Sequence, residues 1–185
     1  MKTKEVIVEA ARLLGFVNEV NVYLEENAGS GQKKTEDLLS CYNLVETELA
    51  LDYFPLLIKE TFSVKNKQIY YQQFPLPIAR VISVTDVKGT PLSYQLGPTE
   101  IVLHTDVKEA IVEYAYLPEP KSILDDGDYQ SRVSIGLMAY GVASAYCAMQ
   151  GLYAEAAFWD KKYKEGIRQA YTIKKGGRMQ SRRWV

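Results

Sequence analysis

The sequence predicts an α+β fold: a helical bundle with an inserted small antiparallel β-sheet and an extended C-terminal tail. Three observations carry that expectation. Apolar residues recur every three or four positions near both ends of the chain, which is the helical period. Between residues 58 and 117 the pattern shifts to short β-branched runs broken by Gly, Pro and Asn. After Ile173 the periodicity stops and the chain turns basic, running to Arg182-Arg183-Trp184-Val185. The divisions that follow are 1–57 for the N-terminal helices of the bundle, 58–117 for the β subdomain, 118–172 for a helical hairpin completing the bundle, and 173–185 for the tail.

Residues 4–15 set Val6, Ile7, Ala10, Leu13 and Leu14 on one helical face, with Gly15 as a fitting stop. Residues 16–24 are apolar but irregular. A second helix is expected from Thr35, a candidate N-cap with Glu36 and Asp37 in the first turn, striped by Leu38, Tyr42, Val45 and Leu49 and ended before Pro55. The preceding Gly29-Ser30-Gly31-Gln32-Lys33-Lys34-Thr35 superficially resembles a phosphate loop. It has Lys33 where that motif needs Gly, and no buried strand leads into it, so it reads as a linker.

In the middle, Ile58–Val64 and Lys67–Tyr71 flank a Lys65-Asn66 turn and are expected to form a hairpin. Phe74-Pro75-Leu76-Pro77 is an extended entry to a strand over Ala79–Val87. Leu92–Leu96 is a short strand, and Glu100–His104 with Ala110–Tyr116 reads as a further hairpin. Asp125, Asp126 and Asp128 around Gly127 lack the spacing of a calcium loop, and Asp128 is read as the cap of the next helix.

That helix, Tyr129 to about Met149, contains Gly136, Ala139, Gly141, Ala143, Ser144, Ala145 and Ala148. Gly inside a helix costs roughly 1 kcal/mol relative to Ala. Gly136, Gly141 and Ala145 therefore mark close helix or subunit packing, with Trp159 on the partner helix. After a Gln150-Gly151 bend, that partner runs from Leu152 to about Tyr171 with Leu152, Ala156, Trp159, Tyr163, Ile167 and Tyr171 in its stripe.

The chain has 185 residues, 47% hydrophobic and 24% charged, which suits one elaborated domain or two small ones. No apolar run approaches the roughly 20 residues that span a bilayer, and Met1-Lys2-Thr3-Lys4-Glu5 enters an amphipathic pattern directly, so neither a membrane partner nor a signal peptide is expected. Cys41 and Cys147 sit inside helical patterns, which fits core packing and a reducing site of synthesis. The net charge of −1 is unevenly placed: from Lys164 onward seven cations face one acid, Glu165, leaving an acidic body and a basic end.

No catalytic constellation emerges, so no enzyme, cofactor or metal is expected. His104 is the only histidine and has no ligand partner at metal spacing. No serine lies in a Gly-x-Ser-x-Gly elbow, and no carboxylate pair is singled out. The fourteen tyrosines point towards interfaces instead. Tyr42, Tyr114 and Tyr140 are assigned to the core, and Tyr70, Tyr71, Tyr94 and Tyr153 to subunit contacts. The tail sets Trp184 beside Lys174, Lys175, Arg178, Arg182 and Arg183, the composition of a docking peptide.

The insertion carries Phe74-Pro-Leu-Pro-Ile78, Val81-Ile-Ser-Val84, Lys88-Gly89, Leu92, Tyr94, Ile101 and Val112-Glu-Tyr114, followed by Ala139-Tyr-Gly-Val-Ala143 and Ala156-x-x-Trp159. In these patterns, across about residues 34–172, the chain resembles the head–tail connector (adaptor) proteins of tailed bacteriophages. The resemblance implies a homo-oligomeric ring of about twelve copies. Such a ring docks on the portal protein, carries genomic double-stranded DNA through its channel and receives a stopper or tail-completion protein. It implies a place in the virion neck after synthesis in the host cytoplasm, with Lys174, Lys175, Arg178, Arg182, Arg183 and Trp184 binding the portal or a neighbouring subunit. An acidic channel wall suits a duplex in transit, because a basic one adds phosphate contacts. Two other readings stand beside it: a nucleic-acid-binding module using the basic tail, and a small enzyme with an unrecognised carboxylate site.

Overall fold

The computed structural model describes residues 1–26, 29–129 and 133–174, the last four as backbone only. The fold is α+β, with two compact units. One draws on Met1–Glu46 and on the chain from Pro120 onward; the other is Thr47–Glu119.

The first unit is helical: α1 (Thr3–Leu13), α2 (Val17–Glu26), α3 (Gly31–Glu48), α4 (Ile135–Met149) and α5 (Tyr153–Lys174). In α1, Val6, Ile7, Ala10 and Ala11 are buried, the Glu5 carboxylate accepts a hydrogen bond from the Lys2 N–H at 3.0 Å, and Gly15 takes φ +83° just past the end. Helix α2 occupies the stretch whose apolar residues show no period. Only Val20 is buried there, so no stripe is needed. Helix α3 begins four residues before the Thr35 cap read from the sequence. Thr35 lies inside it, donating from Oγ1 to the Gly31 carbonyl at 2.8 Å. Gly31 fits because a Cβ there would sit 2.0 Å from the Glu19 carbonyl oxygen, so α2 approaches closer than any side chain allows. Lys34 pairs with Glu19 at 2.7 Å across the same junction.

The start of α4 also corrects the sequence reading. It is capped by Ser134, whose Oγ accepts from the Leu137 N–H at 3.2 Å, and not by Asp128. Leu137, Met138, Ala139, Gly141, Val142, Ala143, Tyr146 and Cys147 are buried, so α4 is wrapped by its neighbours on most of its circumference. Gly151, at φ +76°, makes the bend into α5.

The second unit opens on a π-turn (Leu49–Tyr53) that prolongs α3 to the residues before Pro55. Its strands are β1 (Leu56–Ser63), β2 (Gln68–Tyr70), β3 (Ile78–Thr85), β4 (Tyr94–Leu96), β5 (Glu100–Leu103) and β6 (Glu109–Tyr116). They form two three-stranded antiparallel sheets, ordered β1-β6-β3 and β2-β5-β4, where the sequence suggested one sheet built of hairpins. The turn at Lys65–Gln68 does form, with reciprocal backbone hydrogen bonds of 3.1 and 2.9 Å. The strands on either side of it then part: β1 pairs with β6, from Leu56↔Tyr116 to Ser63↔Glu109, while β2 pairs with β5. Likewise β5 and β6 are central strands of different sheets rather than one hairpin. Burial decides this. Phe62, Val84, Ala110, Val112 and Tyr114 of one sheet and Ile69, Ile101 and Leu103 of the other fill one core. Phe74, from the Pro-rich entry, packs at 4.1 Å between ring centroids on Phe62 and edge-on at 4.9 Å to Tyr114.

Candidate interaction site

The small residues of α4 separate once packing is seen. A Cβ on Gly141 would meet Val45 Cγ1 at 2.8 Å and the Tyr163 ring at 3.0 Å, so α3 and α5 both press on that backbone. Gly136 has nothing within 4 Å and is no close-approach site within the described chain. Gly166 on α5, which the sequence reading passed over, is also tight; its Cβ would fall 2.5 Å from Leu137 Cδ1. Ala145 is half-buried. Trp159 stacks on Tyr140 with centroids 5.7 Å apart and planes at 15°, and Phe158 meets the Trp159 ring edge-on. Lys174 is the last residue of α5; Lys175, Arg178, Arg182, Arg183 and Trp184 lie outside the described residues.

Of the tyrosines assigned to the core, Tyr42 and Tyr114 are fully buried, whereas Tyr140 is half-buried on its Trp159 stack. Among those assigned to contacts, Tyr153 and Tyr70 are exposed. Tyr71 and Tyr94 are half-buried against the β core, and the Tyr71 hydroxyl donates to the Gly97 carbonyl at 3.1 Å. Tyr163 of the α5 stripe is buried, and Tyr129 is buried beyond those anticipated.

The α4–α5 bend leaves several apolar side chains exposed. The Leu152 N–H donates to the Cys147 carbonyl at 2.8 Å and Ser144 Oγ to the Ala156 carbonyl at 3.0 Å, so the hairpin is tight. That leaves Met149, Leu152, Tyr153 and Phe158 outside, at 49%, 47%, 76% and 53% exposure. Two of them, Leu152 and Phe158, border with Leu13, Leu14 and Trp159 a groove of about 510 Å³ whose wall includes Glu155. Phe158 lies off the α5 stripe and was not singled out in the sequence. Leu13 and Leu14 read as core because they continue the α1 stripe. The β unit has its own hollow, about 580 Å³ between the Phe74–Val81 segment and Leu96, with Arg80 as its charged group.

Glu46 is a buried carboxylate, 1% exposed; its Oε1 accepts from the Tyr42 hydroxyl at 3.1 Å and from the Asp128 N–H at 2.8 Å, while Oε2 is buried without a hydrogen-bond partner. Burial pushes its pKa up, opposed by the Asp128 N–H. Burial and the Glu46 charge raise Tyr42 in turn. Asn43 and Lys121 exchange hydrogen bonds of 3.1 and 2.7 Å, Lys121 pairs with Asp128 at 3.0 Å, and Gly127 donates to the Met1 carbonyl at 3.0 Å. Asp128 thus belongs to a crossing strapped onto α3. Among the described residues no cluster of His, Cys, Asp and Glu could hold a metal.

His104 is exposed at the end of β5. Cys41 and Cys147 are buried free thiols, with Cys41 pushed up to about 11 by burial, then by Asp37 and Cys147. Both stay protonated at neutral pH, unfit as nucleophiles. No described helix is long and apolar enough to cross a membrane. No protein-family model matches the chain, and no curated protein matches it.

Proposed function

We propose that this protein is a structural head–tail adaptor of a tailed phage. Copies of the chain form a ring that docks on the portal, prolongs the DNA channel and offers a platform to a stopper or tail-completion protein. The observation that carries the reading is the exposed apolar row Met149, Leu152, Tyr153 and Phe158 on a helical unit whose core is otherwise well filled. Such a contiguous patch marks a contact surface. The acidic body and the resemblance of residues 34–172 to connector proteins agree with it. Native mass spectrometry of the pure chain, with and without portal protein, is the test. A closed multimer on the portal is the expected result; a chain that stays monomeric even with portal present rules the reading out.

A nucleic-acid-binding module is the second reading, favoured by exposed Lys161, Lys162, Lys164 and Arg168 on α5, which continue the basic run of the tail. It predicts duplex affinity falling steeply with salt.

A further inference from the structure

The groove at the α4–α5 bend lies at the first turns of α5, whereas residues 175–185 continue from that helix's other end. We propose that the groove of one copy seats segment 178–185 of the next copy, with Trp184 against Leu13, Leu14, Leu152 and Phe158 and an arginine beside Glu155. The idea rests on the adaptor reading for the presence of a neighbouring copy.

Chemical match is the first argument. The groove holds about 510 Å³, enough for side chains of ligand size, with apolar walls and the acid Glu155. The segment supplies Trp184 flanked by Arg182 and Arg183. Trp and Arg are the residue types that most often anchor an interface. The rim already supports a cation over an aromatic face, since Lys162 Nζ lies 5.8 Å from the Phe158 ring centroid.

Reach and charge decide which copy is served. The eleven residues after Lys174 span at most roughly 40 Å when extended, and α5 from Phe158 to Lys174 is about 24 Å long. The chain's own groove is within that range, so reach alone does not exclude it. To reach its own, the segment must run back along α5, where residues 160–174 hold five cations against two acids. A basic strap laid there meets like charge. A neighbour's groove avoids that path. A groove and a segment that are different surfaces of the same chain make a head-to-tail contact, which gives a ring where the rotation between copies closes.

A fluorescein-labelled peptide of residues 175–185, titrated by anisotropy into full-length chain carrying Trp184→Ala, tests the proposal. Saturable binding is expected, weakened roughly tenfold or more, the loss of one anchor, by Phe158→Asp in the chain. Trp184→Ala in the peptide, which leaves the fold untouched, has the same expected effect. The unsubstituted chain at low micromolar concentration is expected to bind the peptide as well as the Trp184→Ala chain does. Absence of binding, indifference to both changes, or markedly weaker binding by the unsubstituted chain (its own segment filling its own groove) each overturns the assignment. Peptide binding without a multimer on the portal leaves the groove contact standing and sinks the ring; a multimer without peptide binding does the reverse.

Discussion

The Glu46 carboxylate accepts a hydrogen bond from the backbone N–H of Asp128 at 2.8 Å, joining positions 82 residues apart. That bond ties α3 to the crossing that returns the chain to the helical unit. The carboxyl is buried, with one oxygen lacking a partner, so the folded state favours its protonated form.

A pH dependence follows. A carboxyl whose folded pKa is raised contributes stability that is fully present below its unfolded pKa, about 4.3. The contribution is lost as pH rises through the folded pKa. Glu46→Gln keeps an acceptor oxygen and removes the ionisation. Its melting temperature is expected to exceed the wild type's at pH 8, with the gap closing towards pH 4. Paired melting curves across that range are the check, and a gap that does not vary with pH would show that Glu46 does not titrate on unfolding. Glu46→Ala leaves the Asp128 N–H without its acceptor, at about 1–3 kcal/mol.

The two predicted packing glycines of α4 are expected to respond with opposite signs. Gly136→Ala has open space around it and gains helix propensity, stabilising by up to about 1 kcal/mol. Gly141→Ala places a methyl 2.8 Å from Val45 and 3.0 Å from Tyr163. Overpacking of that kind costs about 1–3 kcal/mol and outweighs the propensity gain. Urea unfolding of both variants separates the effects; equal stabilisation would mean that α3 and α5 yield freely at Gly141.

The turn between β1 and β2 holds Asn66 and Lys67 at φ 52° and 62°. Both values are left-handed, as in the tight hairpin turn for which Asn-Gly is the preferred pair. Lys67 pays a steric penalty there that Gly does not. Lys67→Gly is expected to stabilise the protein by about 0.5–1 kcal/mol, read as a higher urea midpoint with an unchanged slope. A lowered midpoint would refute the strain argument.

Periodicity revealed α1, α3 and α5 because each buries a stripe, whereas α4 was signalled by its small residues. Periodicity left α2 unassigned because that helix buries Val20 alone. Strand positions were legible from β-branched runs, but pairing was not. Which strands meet depends on a core shared by Phe62, Ile69, Ile101 and Val112, and no local window contains that information. The cap of α4 was misplaced for a related reason. Asp128 and Ser134 are equally good caps by type, and only the distant Glu46 and Lys121 show that Asp128 is engaged elsewhere. Glycine frequency in α4 signalled close packing without telling Gly141 from Gly136. For the groove, Trp159 stood out in the α5 stripe, Phe158 passed unnoticed because it lies off that stripe, and the contribution of Leu13 and Leu14 depends on where α1 ends.

The interleaving of the two units sets an order of events during synthesis. Every residue of Thr47–Glu119 has been made before the first residue of α4 exists, so the β unit can complete its core on the ribosome. Helix α1 has no such option: it packs chiefly against α4, which is translated later. Until then its apolar face stays open to solvent and to chaperones, and a ribosome pause after Glu119 would prolong that exposure without touching the β unit.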